Sequence, residues 1–486
     1  MGWRLATRLL GLAHTLILVR LLLPADFGLV ALSITFAKAI DGLAALGVED
    51  SLVRAHAPTR ALYDTGFTVN LLSGSMSAAI IALLAWPAAE FFHEPRLTAV
   101  LLVYVCAMLI SSAENIGIVD FRRDMTFQRE FRLLLLPRLI SIMVTVSLAL
   151  TFHSYWALVA GSLTNQSLRV SMTYFMHPYR PRLSLSAWHE LAHFSLWSWA
   201  INLMVLIRDR VDNVVIGRVM GEVPVGIFTI ALEAATVPTY ELAAPLGRAA
   251  LSGFAAEKNA GEGGPEVYFR IIGTALLVGM PAGLGISLVA DQVVHLAMGP
   301  RWLDAIEPVR ILGFAGVGYL FGTVTSSMLA AHGRLRLIFI AYGLSVLVRL
   351  SLIIPLTVWY GLTGAAWGWA VAMSFEHAAC VILAFRHFRF RWRDLAAHVW
   401  RPVLASAAMA IALSVAGVGW TALPPDGTGA ALSLTVAIAL GIATYGVVLL
   451  AVWLACGRPD GAETDLAGLI RRTLPAQLAA GKFVSH

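Results

Sequence analysis

The apolar run at residues 432–456 reads LSLTVAIALGIATYGVVLLAVWLAC and contains no charged side chain among its 25 residues. A helix needs about 20 apolar residues to cross the hydrocarbon core of a bilayer, so this run predicts a membrane-spanning helix. Thirteen further runs meet the same requirement. Their approximate bounds are 3–23, 28–48, 65–87, 97–118, 133–152, 154–176, 192–217, 224–247, 270–290, 306–331, 337–357, 361–385 and 401–420. The sequence therefore predicts an all-α polytopic membrane protein with about 14 transmembrane helices.

The composition of the whole chain agrees with this prediction. Of its 486 residues, 58% are hydrophobic and 13% are charged, and the mean hydropathy is +0.77. Soluble domains carry about 25% charged residues, so a soluble globular enzyme is excluded. The net charge of +6 does not imply a nucleic-acid partner, because basic residues in a membrane protein are concentrated in the loops that face the cytoplasm. The three cysteines, Cys106, Cys380 and Cys456, lie inside apolar runs and fit neither a disulfide framework nor a metal site.

Basic residues are distributed unevenly between alternate loops. With 14 spans, the N-terminus, every second loop and the C-terminal tail share one side, which holds 24 Lys and Arg residues. The opposite loops hold only three, Arg96, Arg218 and Arg301. A missed or additional span would mix the two sets from that point on. The segregation therefore supports the span count and, by the positive-inside rule, predicts that both termini face the cytoplasm.

Two segments of the chain resemble each other. Arg20 is followed eight residues later by Gly28, and Arg218 is followed eight residues later by Gly226. Both segments join an odd-numbered span to the next one on the non-cytoplasmic side, and six spans separate them. Parallel repeats of this kind are a common transporter architecture. The Gly-rich segment at residues 259–265 is interpreted as a hinge between the two halves.

Charged residues also lie inside the predicted spans, where an uncompensated charge costs roughly 2.5–3.5 kcal/mol on insertion scales. They are Arg20, Lys38, Arg138, Arg169, Arg208, Arg210, Arg310 and Arg349, and the acids Asp41, Glu114, Asp209, Asp212, Glu233, Glu241 and Glu376. Three of the arginines, at positions 20, 138 and 310, are close enough to span ends for their side chains to reach the headgroups.

The remaining basic residues predict a polar lumen. Arg169 and Arg349 are deepest and have no acidic residue within four positions, so we expect both to line a cavity. Local spacing permits ion pairs of Lys38 with Asp41 and of Arg208 with Asp212. A lumen with excess positive charge favours an anionic substrate, because arginine binds phosphate and carboxylate groups in a bidentate manner.

One motif suggests catalysis. His189-Glu-Leu-Ala-His193 matches the HExxH pattern of zinc proteases, in which two imidazoles and a general-base Glu share a helix face. The motif lies where span seven begins, beside Trp188 and Trp197, as is typical of an interfacial helix start. We adopt that interpretation and keep an intramembrane metalloprotease as an alternative. The chain has no GxxxxGK[ST] phosphate-binding loop, so we expect no ATP hydrolysis through a P-loop. We expect a transporter with no catalytic chemistry, no metal and no cofactor.

Four stretches of the chain resemble one known family, the Wzx-type polysaccharide flippases of the multidrug/oligosaccharidyl-lipid/polysaccharide superfamily. The stretch LLLPADFGLVAL at 21–32 is similar to the family's signature after span one. The others are DFRRDMTF at 120–127, YWALVAG at 155–161, and DRVDNVVIG at 209–217 with the following Gly226-Ile-Phe. The resemblance covers most of residues 15–260, whereas the C-terminal half matches mainly in its span pattern.

The resemblance implies a fold of two pseudo-symmetric six-helix lobes across a central cavity, plus two C-terminal helices. We therefore expect an N-lobe at 1–176, a C-lobe at 177–385, two further spans at 386–456 and a cytoplasmic tail at 457–486. Lobes of this kind rock, so that the cavity opens first to the cytoplasm and then outward.

The resemblance also implies a function. The expected substrate is an undecaprenyl-diphosphate-linked oligosaccharide, flipped across the bacterial inner membrane for exopolysaccharide, capsule or O-antigen synthesis. Expected partners are membrane lipids, a polysaccharide polymerase and glycosyltransferases. We assign the diphosphate or acidic sugars to Arg169, Arg208, Arg210, Arg349 and Lys38, and a coupling proton or sodium ion to Asp41, Asp212, Glu233 and Glu241. A multidrug or cation antiporter of the same superfamily is the alternative.

Overall fold

The computed structural model describes residues 2–44, 48, 52, 58–124, 126–189, 196–260, 265–420, 427–459 and 461–464. Every regular element in these ranges is a helix, which confirms the all-α prediction there. The α-helices are α1 (Gly2–Leu21), α2 (Pro24–Ala44), α3 (Arg60–Phe92), α4 (Arg96–Ser112), α5 (Val119–Arg123), α6 (Phe127–Phe152), α7 (Trp156–Met176), α8 (Leu196–Met220), α9 (Glu222–Ala260), α10 (Pro265–Leu288), α11 (Ala290–Val293), α12 (Ile306–Gly316), α13 (Gly318–Ala331), α14 (Leu335–Phe388), α15 (Trp392–Val415) and α16 (Gly427–Ala455).

Local chemistry explains where several helices begin, end or break. Thr59 caps α3, because its side chain accepts a hydrogen bond from the Leu62 backbone N–H at 3.3 Å. His93 ends the same helix in a left-handed conformation with a φ of 57°. Gly361 interrupts the 54-residue helix α14 with a φ of 60° and a ψ of −138°, a conformation that favours glycine.

Among the residues that the structure describes, eight helices are long and apolar enough to cross a membrane. A ninth is added if α4 and the helical segment that follows it, bent by 65°, form one broken span. Each of the fourteen predicted spans overlaps a helix, and α14 contains two of them, at 337–357 and 361–385, with the break at Gly361 between them. The chain is therefore a multi-pass membrane protein, and the count of fourteen stays a prediction.

The chain divides into two compact units. The first comprises residues 1–230, 297–302 and 349–365, and the second comprises residues 231–296, 303–348 and 366–486. In the first unit, α2 packs on α8 and α4, and α4 also packs on α7. In the second unit, α10 packs on α12, α13 and α15, and α15 packs on α16. The predicted lobe boundaries at 176/177 and 385/386 stay predictions.

Candidate functional site

A small polar cavity in the first unit contains two of the predicted site residues. It has a volume of about 260 Å³ and lies between α2, α4 and α7. Lys38 and Asp41 of α2 line it together with Ser111 of α4 and Gln166 of α7, whose amide donates a hydrogen bond to the Ser111 hydroxyl. No ion pair joins Lys38 to a carboxylate among the described residues. The cavity therefore offers a cation, an acid and neutral hydrogen-bonding groups, a combination suited to phosphate and sugar hydroxyls.

Arg169 lies one turn beyond Gln166 on α7 and pairs with Glu114. Its Nη2 is 2.9 Å from Glu114 Oε2, and its Nε is 3.1 Å from Glu114 Oε1, so the pair is bidentate. Glu114 is in the break between α4 and α5, 55 positions earlier in the chain. Because the Arg169 side chain remains one-third exposed, its guanidinium is accessible while its charge is balanced.

Arg349 and Asp212 form a deeply buried ion pair in the first unit. Arg349 Nη1 is 2.8 Å from Asp212 Oδ2 and donates a second hydrogen bond to the Arg208 carbonyl oxygen at 2.7 Å. The side chains are only 2% and 6% exposed. Asp212 of α8 is thus the acidic partner of Arg349. Arg349 can contact a substrate only if this ion pair separates.

The other two predicted arginines lie on α8. Arg208 Nε is 2.8 Å from Asp209 Oδ1, so the neighbouring residue provides its carboxylate, whereas Asp212 faces Arg349. Arg210 is half-buried on the same helix. The chain segment Asp209-Arg-Val-Asp212 therefore distributes its charges in several directions around α8.

The remaining coupling candidates, Glu233 and Glu241, lie on α9 within the second unit. Glu233 is exposed and Glu241 is half-buried. The structure thus places Lys38 and Asp41 in one cavity, and it pairs Asp212 with Arg349. Both glutamates of α9 lie in the second unit.

Ion pairs also compensate basic residues of the second unit. Arg310, which we expected to extend toward the headgroups, pairs with Asp291, and its Nη1 is 2.6 Å from Glu307 Oε1. Arg401 forms a bidentate pair with Glu463 at 2.7 and 3.0 Å, with both side chains 7% exposed. Burial of these charges is tolerated because each lies against an opposite charge.

Two buried titratable residues were not proposed as site residues from the sequence. Glu376 and His377 of α14 are 1% and 5% exposed. The His377 ring lies against Gly318 and Gly322 of α13, where any side chain at position 322 would overlap it. The four-residue spacing of these glycines is the sequence signal for this close packing.

Asp26 of the PADFG stretch connects two helix starts. Its Oδ2 accepts a hydrogen bond from the Leu23 N–H at 2.9 Å, and its Oδ1 accepts one from the Tyr155 N–H at 3.1 Å. Leu23 precedes α2 and Tyr155 precedes α7, so two of the family-like stretches meet at this carboxylate. The structure therefore gives Asp26 a capping role.

Gly28 and Gly226, which the internal repeat aligns, contact each other's helix reciprocally. A Cβ on Gly28 would overlap the backbone carbonyl of Glu222, and a Cβ on Gly226 would overlap the backbone carbonyl of Pro24. Each carbonyl belongs to the residue four positions before the other glycine, so the contact has the symmetry of a two-fold axis. Only glycine permits the first turns of α2 and α9 to approach this closely.

The segment after α7 is fixed to α3 and α5. The Tyr179 hydroxyl donates to Asp64 Oδ1 at 2.5 Å, and His177 Nε2 is 3.3 Å from Asp120 Oδ2. Asp120 also accepts from the Tyr63 hydroxyl and lies 2.9 Å from Arg123 Nη2. Burial lowers the pKa of His177, and Asp120 opposes part of this effect.

The proposed protease motif is largely outside the described residues, which include His189 but not 190–193. Among the described residues, no group of three or more His, Cys, Asp or Glu side chains is arranged to hold a metal ion. The metalloprotease alternative stays a prediction.

The structure is that of a polytopic membrane protein with paired charges inside its helices. A family model for polysaccharide biosynthesis proteins matches residues 17–307, and the chain belongs to that family. This match confirms the resemblance found in residues 15–260.

Individual relatives agree with the family. The lipopolysaccharide biosynthesis protein WzxC of Escherichia coli K12 is 22% identical over 338 residues, covering 68% of each chain. The fold is similar to that of the lipid II flippase MurJ in an inward closed conformation, with a TM-score of 0.75, 12% identity, and coverage of 94% of this chain and 99% of that one. An inward-facing multidrug MATE transporter of the MOP superfamily gives a TM-score of 0.60 at 19% identity, covering 80% and 94%.

Proposed function

We propose that this protein is a flippase that carries polyprenyl-diphosphate-linked oligosaccharide units across the cytoplasmic membrane for the synthesis of a surface polysaccharide. Membership of the polysaccharide biosynthesis family over residues 17–307 carries this proposal. The helical membrane fold, which is similar to that of a lipid II flippase, supports it.

In this proposal, the polar cavity of the first unit contacts the head of the substrate. Lys38 supplies the cation for the diphosphate, because it lines the cavity and no carboxylate lies within salt-bridge distance of it among the described residues. Ser111 and Gln166 hydrogen-bond sugar hydroxyls, and the lipid chain remains in the bilayer. Arg169 joins when the substrate phosphate competes with Glu114 for its partly exposed guanidinium.

The remaining arginines act at a later stage. Arg208, Arg210 and Arg349 bind the anion only after the buried pair of Arg349 with Asp212 separates. Such a separation requires a conformational change, which is consistent with alternating access. Asp41, Asp212, Glu233 and Glu241 are our candidates for the residues that bind a coupling proton or sodium ion.

The proposed architecture completes this mechanism. Fourteen spans form two six-helix lobes and two additional helices, with both termini in the cytoplasm. Glycosyltransferases supply the carrier-linked repeat unit, and a polymerase receives it after transport. The multidrug antiporter alternative rests on fold alone, because the similar MATE structure is only 19% identical.

Deletion of the gene, followed by analysis of carrier lipids, tests the proposed function. We expect the carrier-linked repeat unit to accumulate on the cytoplasmic leaflet and polysaccharide export to stop. Normal export in the deletion strain would overturn the proposal.

Complementation tests the cavity. Lys38→Gln should fail to restore export and Lys38→Arg should restore it, since Arg retains the charge. Arg336→Gln is the matched control, because it removes one charge from an exposed position outside the cavity. Full export by Lys38→Gln at normal protein levels would show that the cavity assignment is wrong, whatever the deletion strain does.

A further inference from the structure

The second unit contains a larger cavity at the turn between α14 and α15. Its volume is about 430 Å³. Two aromatic side chains that line it, Phe254 and Tyr268, are 2% and 0% exposed and form its inner end. Arg389 and Arg391 line it as well and are exposed, so the arginines are at its mouth. An apolar interior with a cationic mouth is complementary to an amphipathic anion.

Arg389 and Arg391 differ from four arginines inside the predicted spans, whose charges are neutralised by carboxylates. Arg169, Arg310, Arg349 and Arg401 each lie against a carboxylate. Within the part of the chain that the structure describes, neither Arg389 nor Arg391 forms an ion pair. One acid, Asp394, also lines the cavity, which leaves an excess of positive charge there.

The backbone at Arg389 has a left-handed conformation that glycine would adopt more easily. Arg389 caps the end of α14 with a φ of 56°, in the left-handed region. Glycine is the usual residue at this position of a helix end, because a Cβ atom is strained in the left-handed conformation. An arginine at this position therefore supplies a guanidinium to the cavity despite the backbone strain.

The surroundings of the cavity resemble a membrane interface. Trp392 and Trp400 of α15 are 54% and 42% exposed, and the Trp392 ring stacks on Phe385 at 4.4 Å. Two more arginines, Arg386 and Arg393, are exposed beside them. Exposed tryptophans and clustered arginines are typical of the headgroup level, and the positive-inside rule assigns this turn to the cytoplasmic side.

We propose that this cavity binds the phosphate of an anionic membrane lipid, with Arg389 and Arg391 holding the headgroup and the aromatic walls contacting the glycerol and upper acyl chain. Basic pockets at helix ends on the cytoplasmic side are suited to such headgroups. The site is separate from the cavity around Lys38, and the inference does not depend on which substrate the protein transports.

The test measures phosphatidylglycerol bound to the purified full-length protein in the presence of excess phosphatidylcholine. In the double variant Arg389→Gly/Arg391→Gln, the affinity for phosphatidylglycerol should fall about 30-fold, because each substitution removes a direct hydrogen bond to the lipid phosphate that contributes roughly a factor of five. Glycine suits the left-handed conformation at position 389, so the variant should retain its fold and its thermal unfolding temperature. If it does not fold, Arg391→Gln alone should give about a five-fold loss, the contribution of one direct hydrogen bond to the phosphate.

The control is Arg386→Gln/Arg393→Gln, which removes the same charge from exposed positions that do not line the cavity. It should change the affinity less than two-fold. An equal loss in both double variants would show non-specific attraction and overturn the proposal. Displacement of the lipid by millimolar inorganic pyrophosphate would show a site for free anions, and it would also overturn the lipid assignment.

Discussion

Removal of the Arg349 charge should severely destabilise the first unit. Arg349 and Asp212 are joined at 2.8 Å with side chains only 2% and 6% exposed, so Arg349→Met leaves a buried carboxylate without its cation. Breaking a buried ion pair in this manner costs about 3–5 kcal/mol. The variant should therefore show a markedly lower unfolding temperature in detergent and reduced levels in the membrane.

A second substitution should restore much of that loss. In Arg349→Met/Asp212→Asn, neither member of the pair is charged, and the buried carboxylate no longer has to be desolvated alone. We expect this double variant to be more stable than Arg349→Met by about 2 kcal/mol, since residues in one ion pair are strongly coupled. Thermal unfolding of the four proteins of this double-mutant cycle measures that coupling directly.

The same cycle separates a structural role from a functional one. If the pair only stabilises the fold, the double variant should export polysaccharide whenever it is folded. If Arg349 or Asp212 also binds substrate or the coupling ion, the double variant should be folded and inactive. An Arg349→Met protein as stable as the wild type would refute the argument from burial.

Two further predictions concern a packing contact and a titrating group. Gly28→Ala or Gly226→Ala should destabilise the protein by about 1–3 kcal/mol, because the added methyl group overlaps backbone atoms that cannot rotate away. Gly343→Ala is the control and should not destabilise the protein, because open space surrounds Gly343. Equal unfolding temperatures for all three variants would contradict the steric argument. The folded-state pKa of His177 is below its usual 6.5, so the unfolded chain binds more protons as the pH falls below 6.5 and stability decreases. His177→Gln should reduce this acid sensitivity in unfolding measured from pH 7.5 to 5, and an unchanged profile would exclude His177 as its source.

The helices were predictable from sequence because each depends on a contiguous apolar run. Even the division of α14 was indicated by the gap between the runs at 337–357 and 361–385, and Gly361 provides the break. The total number of membrane crossings is harder to predict, because helices such as α8 carry several charges that lower their hydropathy.

The pairing of charges was not predictable, because it depends on how distant helices pack. Local spacing suggested Arg208 as a partner of Asp212, but it gave no indication of Arg349, which lies 137 positions away and forms a salt bridge with Asp212 in the structure. Glu114 similarly compensates Arg169 across 55 positions. The sequence does identify which residues need compensation, since a charged residue inside a span requires either an opposite charge or a polar cavity.

The reciprocal contact of Gly28 and Gly226 has a consequence for the history of the chain. In a symmetric dimer, a residue at the two-fold axis meets the same residue of the other copy, and each copy offers the same surface. The contact within this single chain has that form. A half-length ancestor that dimerised through this glycine would, after duplication and fusion, retain its former subunit interface as an internal contact.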